Sequence, residues 1–358
     1  MRSRTGLHLE YLTPAEFTAA PGTGVLGLAT FAERSFPGLG RAELPIAVVD
    51  MPVLGGTGAL CEVWRTQQPV ESGTQGRIRY TRTADLLFGC IALKENASPV
   101  AVAERTPLYE ATEEVYREIF GALDVLGYPH LIRIWNYVPE INRETYGLER
   151  YKQFNGARQA AMLAAKRPLT GNVSAACALG AAVGSPLVVY FLSSHHAPTS
   201  VENPRQVSAY HYPPEYGLRS PVFSRAAVHR EADGMTLFIS GTASIVGHRT
   251  IHAGDTAAQT RETITNIEAL LEEANRVTAS EQFALDALAC KVYMRHPADL
   301  PVIQTELRSA LGPTARVVYL QADICRQDLS VEIEATARVG LPAKWRSTAR
   351  RSTAEHSF

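Results

Sequence analysis

MTLFISGTASIVG (residues 235–247), followed through a short loop by DTAAQTRETITNIEALLEEA (255–274), is the stretch whose reading decides the fold. Its first part is β-branched and aromatic and reads as a strand running into a loop. Asp255 stands where a helix N-cap belongs. Ile264, Ile267, Leu271 and Ala274 then share one apolar stripe at helical spacing. Outward from there, ALACKVYMR (287–295) predicts a strand, and the run PVIQTELRSAL predicts a helix from about 298 to 311. After Gly312-Pro313 come two more strands, ARVVYL and LSVEIEATA. The order β-loop-α-β-α-β-β assigns an α/β (α+β) fold.

An earlier stretch repeats that order. DLLFGCIAL (85–93) reads as a strand, and YEATEEVYREIFGALDVLG (109–127) as a helix with its stripe on Val115, Ile119, Ala122 and Leu126. LIRIWNYV (131–138) is a strand, and a helix-rich segment (141–165) comes after it. The uncharged run 171–194 is long enough to span a bilayer. Gly184-Ser185-Pro186 breaks it, so two buried strands joined by a turn are the better reading. We read a degenerate duplication with its seam near 195–210. The lobes are then 1–200, with a Gly/Pro-rich leader, and 201–340, with a solvated basic tail at 341–358.

Composition excludes several classes. The 358 residues are 46% hydrophobic, enough to bury one large or two ordinary cores. A formal charge of -1 gives no global pull toward nucleic acid or an anionic membrane. The five cysteines, Cys61, Cys90, Cys177, Cys290 and Cys325, are scattered without a C-x-x-C. That fits free thiols in a reducing, cytoplasmic setting and no structural zinc. MRSRTGLHLEYL has no apolar run of the signal-peptide kind. Gly22 to Gly27 satisfies G-x-G-x-x-G but lacks the strand and crossover helix that would make it a dinucleotide site. The pairs His195-His196 and His248/His252 read as loop polarity, so no metal is expected.

Two features carry chemistry. The connection 202–228 packs Tyr210, Tyr212, Tyr216, Arg219 and Arg225 into a Pro-rich loop. Such a loop suits a planar anionic ligand, though it also suits an ordinary linker. In DLSVEIEATA (328–337), Glu332 and Glu334 share one face of a strand. A wet sheet edge would explain them. An enclosed face would instead raise the pKa of one carboxyl and make it a general acid.

LFISGTA, GDTAAQTRETITNIEALLEEA, KVYM and VEIEATA resemble, in that order, the RidA-like fold. That resemblance implies a trimer with sites in the clefts between subunits, with Arg316 near the family's carboxylate-binding position. A narrower likeness covers most of residues 60 to 340: VWRTQQPVESG (63–73), LGYPHLIRIWNYVPEIN (126–142), ENPRQVSAYHYPPEYG (202–217), PVFSRA (221–226), SGTASIVGHRTIHAGD (240–255) and DLSVEIE resemble the chorismatases. This implies RidA-like lobes repeated in one chain, a pseudo-trimeric, barrel-like assembly of mixed sheets with helices outside, acting as a monomer without cofactor or metal. It implies that Glu332 protonates the enolpyruvyl methylene of chorismate and releases pyruvate, and that Tyr212 and Arg225 hold substrate carboxylate. Tyr216, Arg219, Arg295 and Arg133 are added from their residue types and positions. Gly241, and Cys325 seven residues before Glu332, match the branch that forms 3-hydroxybenzoate, for which some 4-hydroxybenzoate is also implied. Whether the Cys325 thiol reacts or fills space stays open. The alternatives are a chorismate hydrolase giving a dihydroxycyclohexadiene carboxylate, and a non-catalytic RidA-like binding protein.

Overall fold

The computed structural model describes residues 6–20, 22–33, 43–56, 58–96, 105–217, 219–279 and 282–340. The expected basic tail, 341–358, lies outside them. The chain forms three larger sheets. The first segment supplies β1 (His8–Leu12), α1 (Pro14–Ala19), β2 (Val25–Ala32), β3 (Ile46–Asp50), β4 (Val53–Leu54) and β5 (Ala59–Arg65). The second supplies β6 (Glu71–Gln75), β7 (Ile78–Arg82), β8 (Leu86–Leu93), α2 (Pro107–Leu126), β9 (His130–Pro139), a small hairpin of β10 (Glu144–Thr145) and β11 (Leu148–Glu149), α3 (Arg150–Ala164), β12 (Ala175–Ala181) and β13 (Leu187–Ser194). The third supplies β14 (Thr199–Val201), β15 (Ala226–Arg230), β16 (Gly234–Ala243), the hairpin β17 (Ile245–Val246) and β18 (Arg249–Thr250), α4 (Thr256–Thr278), β19 (Ala289–Met294), α5 (Leu300–Leu311), β20 (Arg316–Gln321) and β21 (Val331–Gly340).

The duplication is real at the level of topology. The second sheet runs β12-β9-β13-β8-β7-β6, and the third runs β20-β19-β21-β16-β15-β14, with β4 added outside β20. In each, one pair is parallel, β9 with β12 and β19 with β20, and its neighbours are antiparallel. The leader, which composition leaves unassigned, adopts the same plan in the order β3-β2-β5-β1, with β2 and β3 parallel. Each sheet is open, so no closed barrel forms among the described residues.

Local chemistry sets the elements. Thr106 caps α2 by accepting from the Tyr109 amide, and Gly127 ends it at φ 81°. Asp255 caps α4 as its position predicts, accepting from the Ala258 amide at 2.9 Å. Strand alternation sorts side chains between two cores. On β13, Val189 and Phe191 pack toward α2, while Val188, Tyr190 and Leu192 face the centre. On β21, Val331, Ile333, Ala335, Ala337 and Val339 pack with α4 and α5. That leaves Glu332 and Glu334 turned inward, 4% and 5% exposed. The G-x-G-x-x-G run only packs: a Cβ on Gly27 would sit 2.1 Å from the Phe88 ring.

Candidate active site

Glu332 lies on β21 where the neighbouring strand is irregular. The register between β16 and β21 shifts between Ile239 and Thr242, at Ser240-Gly241. Such a bulge bends the strand and re-aims its side chains. Ser240 fixes it, donating to the Ser224 carbonyl at 2.6 Å and accepting from the Ala176 amide at 2.9 Å. A Cβ on residue 241, at the bulge, would be 1.9 Å from Glu332 Oε1 and 3.3 Å from the Cys177 Cβ, so a side chain there would displace the carboxyl. The carboxyl therefore lies against the Gly241 backbone.

The other carboxyl oxygen meets Cys325, whose Sγ donates to Oε2 at 3.8 Å. Burial first, and the charge of Glu334 second, push Glu332 up to about 8. Burial, then Glu332, raises the Cys325 thiol as well. Near neutral pH the pair therefore consists of a protonated acid and a protonated thiol.

These groups line a cavity of about 260 Å³, with Phe223, Pro221, Ala243 and Ile245 forming its apolar wall. Two arginines line it. Arg225, 4% exposed, donates through Nη2 to the Val207 carbonyl at 2.7 Å and to the Tyr212 hydroxyl at 2.8 Å. Its Nε is buried without a partner among the described residues. Arg326 donates through Nη1 to the His248 carbonyl at 2.9 Å and lies 4.0 Å over the Tyr216 ring. Its Nη2 is likewise buried without a partner among the described residues. The cavity thus holds the buried Glu332, an apolar wall and two arginines, each with an N–H unused among the described residues, with Glu149, Glu215, Asp328 and Lys152 also in the lining.

Residues 62–193 match the family model of the N-terminal part of FkbO/Hyg5-like chorismatases. A 3-hydroxybenzoate synthase of Streptomyces hygroscopicus is 35% identical over 329 residues, 87% of this chain and 91% of that one. This chain belongs to the chorismatase family. A chorismatase of Streptomyces rapamycinicus is 38% identical over 283 residues, 77% of this chain and 81% of that one. A crystal structure of a chorismatase superposes with a TM-score of 0.80 at 31% identity, covering 94% of this chain and 100% of that chain.

In this chorismatase, Glu332, Cys325, Gly241, Tyr212, Tyr216 and Arg225 line one cavity. Four other candidate residues lie elsewhere. Arg295 does not line the cavity: it binds Asp323 at 2.5 Å, Asn142 at 3.1 Å and the carbonyls of Leu329 and Arg326. It staples the loop that carries Cys325 and Arg326. Arg219 is exposed and outside the lining, with Tyr109 as its electrostatic neighbour. Arg133 is sealed beneath the cavity, paired with Glu334 at 2.5 Å. Arg316 lines a different cleft, beside Trp64 and Arg338. Sequence reasoning missed Arg326 and Tyr151; their nearness to Cys325 and to the start of α3 was visible, their direction was not. No group of three or more His, Cys, Asp or Glu among the described residues is placed to hold a metal ion. No helix among them is long and apolar enough to cross a membrane.

Proposed function

We propose that this chorismatase converts chorismate to 3-hydroxybenzoate and pyruvate, with Glu332 as the general acid. The observation that carries the reading is the enclosed, protonated carboxyl at Gly241. Chorismate bears a ring carboxylate and a second carboxylate on an enolpyruvyl ether. Arg225 and Arg326, each with a buried unused N–H, match two carboxylates. The tyrosines Tyr212 and Tyr216 set the planes of both guanidinium groups. With the substrate so held, Glu332 delivers its proton to the methylene carbon. The positive charge that forms is an oxocarbenium ion, stabilised by the carboxylate that Glu332 becomes.

The fate of that cation depends on water. The step to 3-hydroxybenzoate and pyruvate balances without water, whereas the dihydrodiol requires one molecule of it. A wall of Phe223, Pro221 and Ile245, with a neutral thiol at Cys325, favours the dry outcome. Cys325 then acts by filling space beside the acid, since its thiol stays protonated. We also take the three sheets as three lobes, divided near 66–70 and 195–198, which complete the assembly within one chain acting as a monomer.

The test is to incubate purified protein with chorismate and separate the products by chromatography. An aromatic acid with equimolar pyruvate is expected; a non-aromatic diol would mean the hydrolytic reaction, and binding without pyruvate would mean a non-catalytic protein. Cys325→Ala should move the product toward the diol by admitting water, and an unchanged ratio would count against its space-filling role.

A further inference from the structure

At the centre of the molecule, where the three sheets meet, lies a sealed cluster of four charges. Lys291 on β19 is fully buried. Its Nζ donates to Glu62 Oε2 on β5, to Glu334 Oε1 on β21 at 2.7 Å and to the Tyr190 hydroxyl on β13 at 3.0 Å. One equivalent strand from each sheet thus sends a side chain to one ammonium group. Glu334 also accepts from Arg133 at 2.5 Å and from Trp135 Nε1 at 3.0 Å. Glu62 accepts from Trp64 Nε1 at 2.9 Å and from the Tyr190 hydroxyl at 3.0 Å. Two carboxylates and two cations balance to zero, and hydrogen bonds fix each of them. Proton delivery by Glu332 and substrate binding by Arg225 and Arg326 use none of these four.

We propose that this balanced quartet, acting through Glu334, is the device that keeps the proton on Glu332. The proposal rests on the reading of Glu332 as the acid. Glu332 and Glu334 share a strand face two residues apart, about 7 Å in an extended chain. With the quartet at zero, an ionised Glu332 would add one uncompensated negative charge to a buried site. The groups that face Glu332 are Glu334 from its own strand, Arg133 from β9, Cys177 from β12, Tyr151 from α3, Cys325 from the β20–β21 loop and Arg225 from the segment before β15. The same cavity is lined by Arg326 from the β20–β21 loop, Tyr212, Lys152 from α3 and Glu149 before it. Of the cations, Arg133 is committed to Glu334. Arg225 and Arg326 are held by the Val207 and His248 carbonyls and, in the proposed reaction, meet the two substrate carboxylates. Burial alone would keep Glu334 protonated, but Lys291 and Arg133 hold it below the ordinary carboxylate value. It is therefore a fixed negative charge, a positioning residue that acts through its neighbour.

The experiment reads the proton directly and through turnover. Infrared spectra of the full chain at neutral pH should contain a buried carboxylic-acid band that disappears in Glu332→Gln. In Glu334→Gln the band should weaken to about half or less, because the remaining charges sum to +1 and favour ionised Glu332. The alkaline limb of pyruvate release should move acidward by about 1 pH unit or more, a tenfold loss of protonated acid above both pKa values. Glu62→Gln, farther away, should move it in the same direction by less, and Glu334→Asp should leave it in place. Absence of the band in the wild-type protein overturns the proposal whatever the variants do. So does a Glu334→Gln limb at the wild-type position with only its amplitude reduced, which is what a structural role would give. If Glu332→Gln keeps its activity while the band behaves as stated, the acid assignment fails and the proton-holding device stands.

Discussion

Two clefts of this molecule are built from the same elements and carry different chemistry. One is lined by β16, β21 and the loop between β20 and β21; the other by β8, β13 and the turn between β12 and β13. Glu62, Tyr190 and Glu334 occupy matching places, since all three reach Lys291. Two residues earlier on each strand stand Leu60, Val188 and Glu332. The second cleft thus has Val188 where the first has its acid. Its turn, 182–186, is too short to carry counterparts of Cys325 and Arg326. Its arginines are engaged, Arg77 with Glu114 and Arg79 with the Leu44 carbonyl. At about 520 Å³ against 260 Å³ it is the larger space. A repeated fold therefore supplies clefts, and an enclosed carboxyl beside a lengthened loop distinguishes the one proposed as the site.

Attempts to break that contrast rank by expected effect. Glu332→Gln keeps the shape and removes the proton, and should lower pyruvate release by about 100-fold to 10,000-fold. A coupled assay with chorismate reads it, and near-normal release would remove the distinction between the clefts. Arg225→Leu should raise KM by about 10-fold to 100-fold, the worth of one charge-assisted hydrogen bond to a carboxylate. Steady-state kinetics that changed kcat alone would argue against ground-state recognition. Gly241→Ala should lower turnover about tenfold. The Glu332 carboxyl lies against Gly241, so a methyl group there must swing the acid aside. Last, Val188→Glu in the Glu332→Gln background should restore no activity, while destabilising the protein by about 2 kcal/mol or more by burying an unpaired carboxyl. Recovered pyruvate release would mean the second cleft is a site after all.

Much of the molecule is legible in its sequence, for physical reasons. The long helices of the second and third segments, α2 and α4, show apolar stripes and side-chain caps at Thr106 and Asp255, so their order can be read outright. The leader cannot, because α1 has only six residues, Gly24 and Gly58 directly precede β2 and β5, and Gly27 interrupts β2. Glu332 and Glu334 are legible as a pair by strand alternation. What separates them is tertiary: Glu334 meets Lys291 and Arg133 from two other strands, and Glu332 meets a cavity. Lys291 lies in KVYM and Glu62 in CEVW, each a charge with apolar neighbours on both sides, which is the local signal in the sequence. Arg295 misleads because a strand-end arginine can point either into a cavity or along a loop, and only the loop's carbonyls decide.

The pH dependence of the wild-type enzyme tests the central claim most directly. A general acid must be protonated to work, and Glu332 is pushed up to about 8. The same shift ties protonation to stability: its contribution is full below the ordinary value of 4.5 and is lost as pH rises through about 8. Measured as kcat/KM for pyruvate release from about pH 5 to about 10, activity should hold a plateau and then fall about tenfold per unit above about 8. A profile that falls through the ordinary carboxylate range near 4.5, or one that stays flat past the limb, would contradict a protonated Glu332 as the acid.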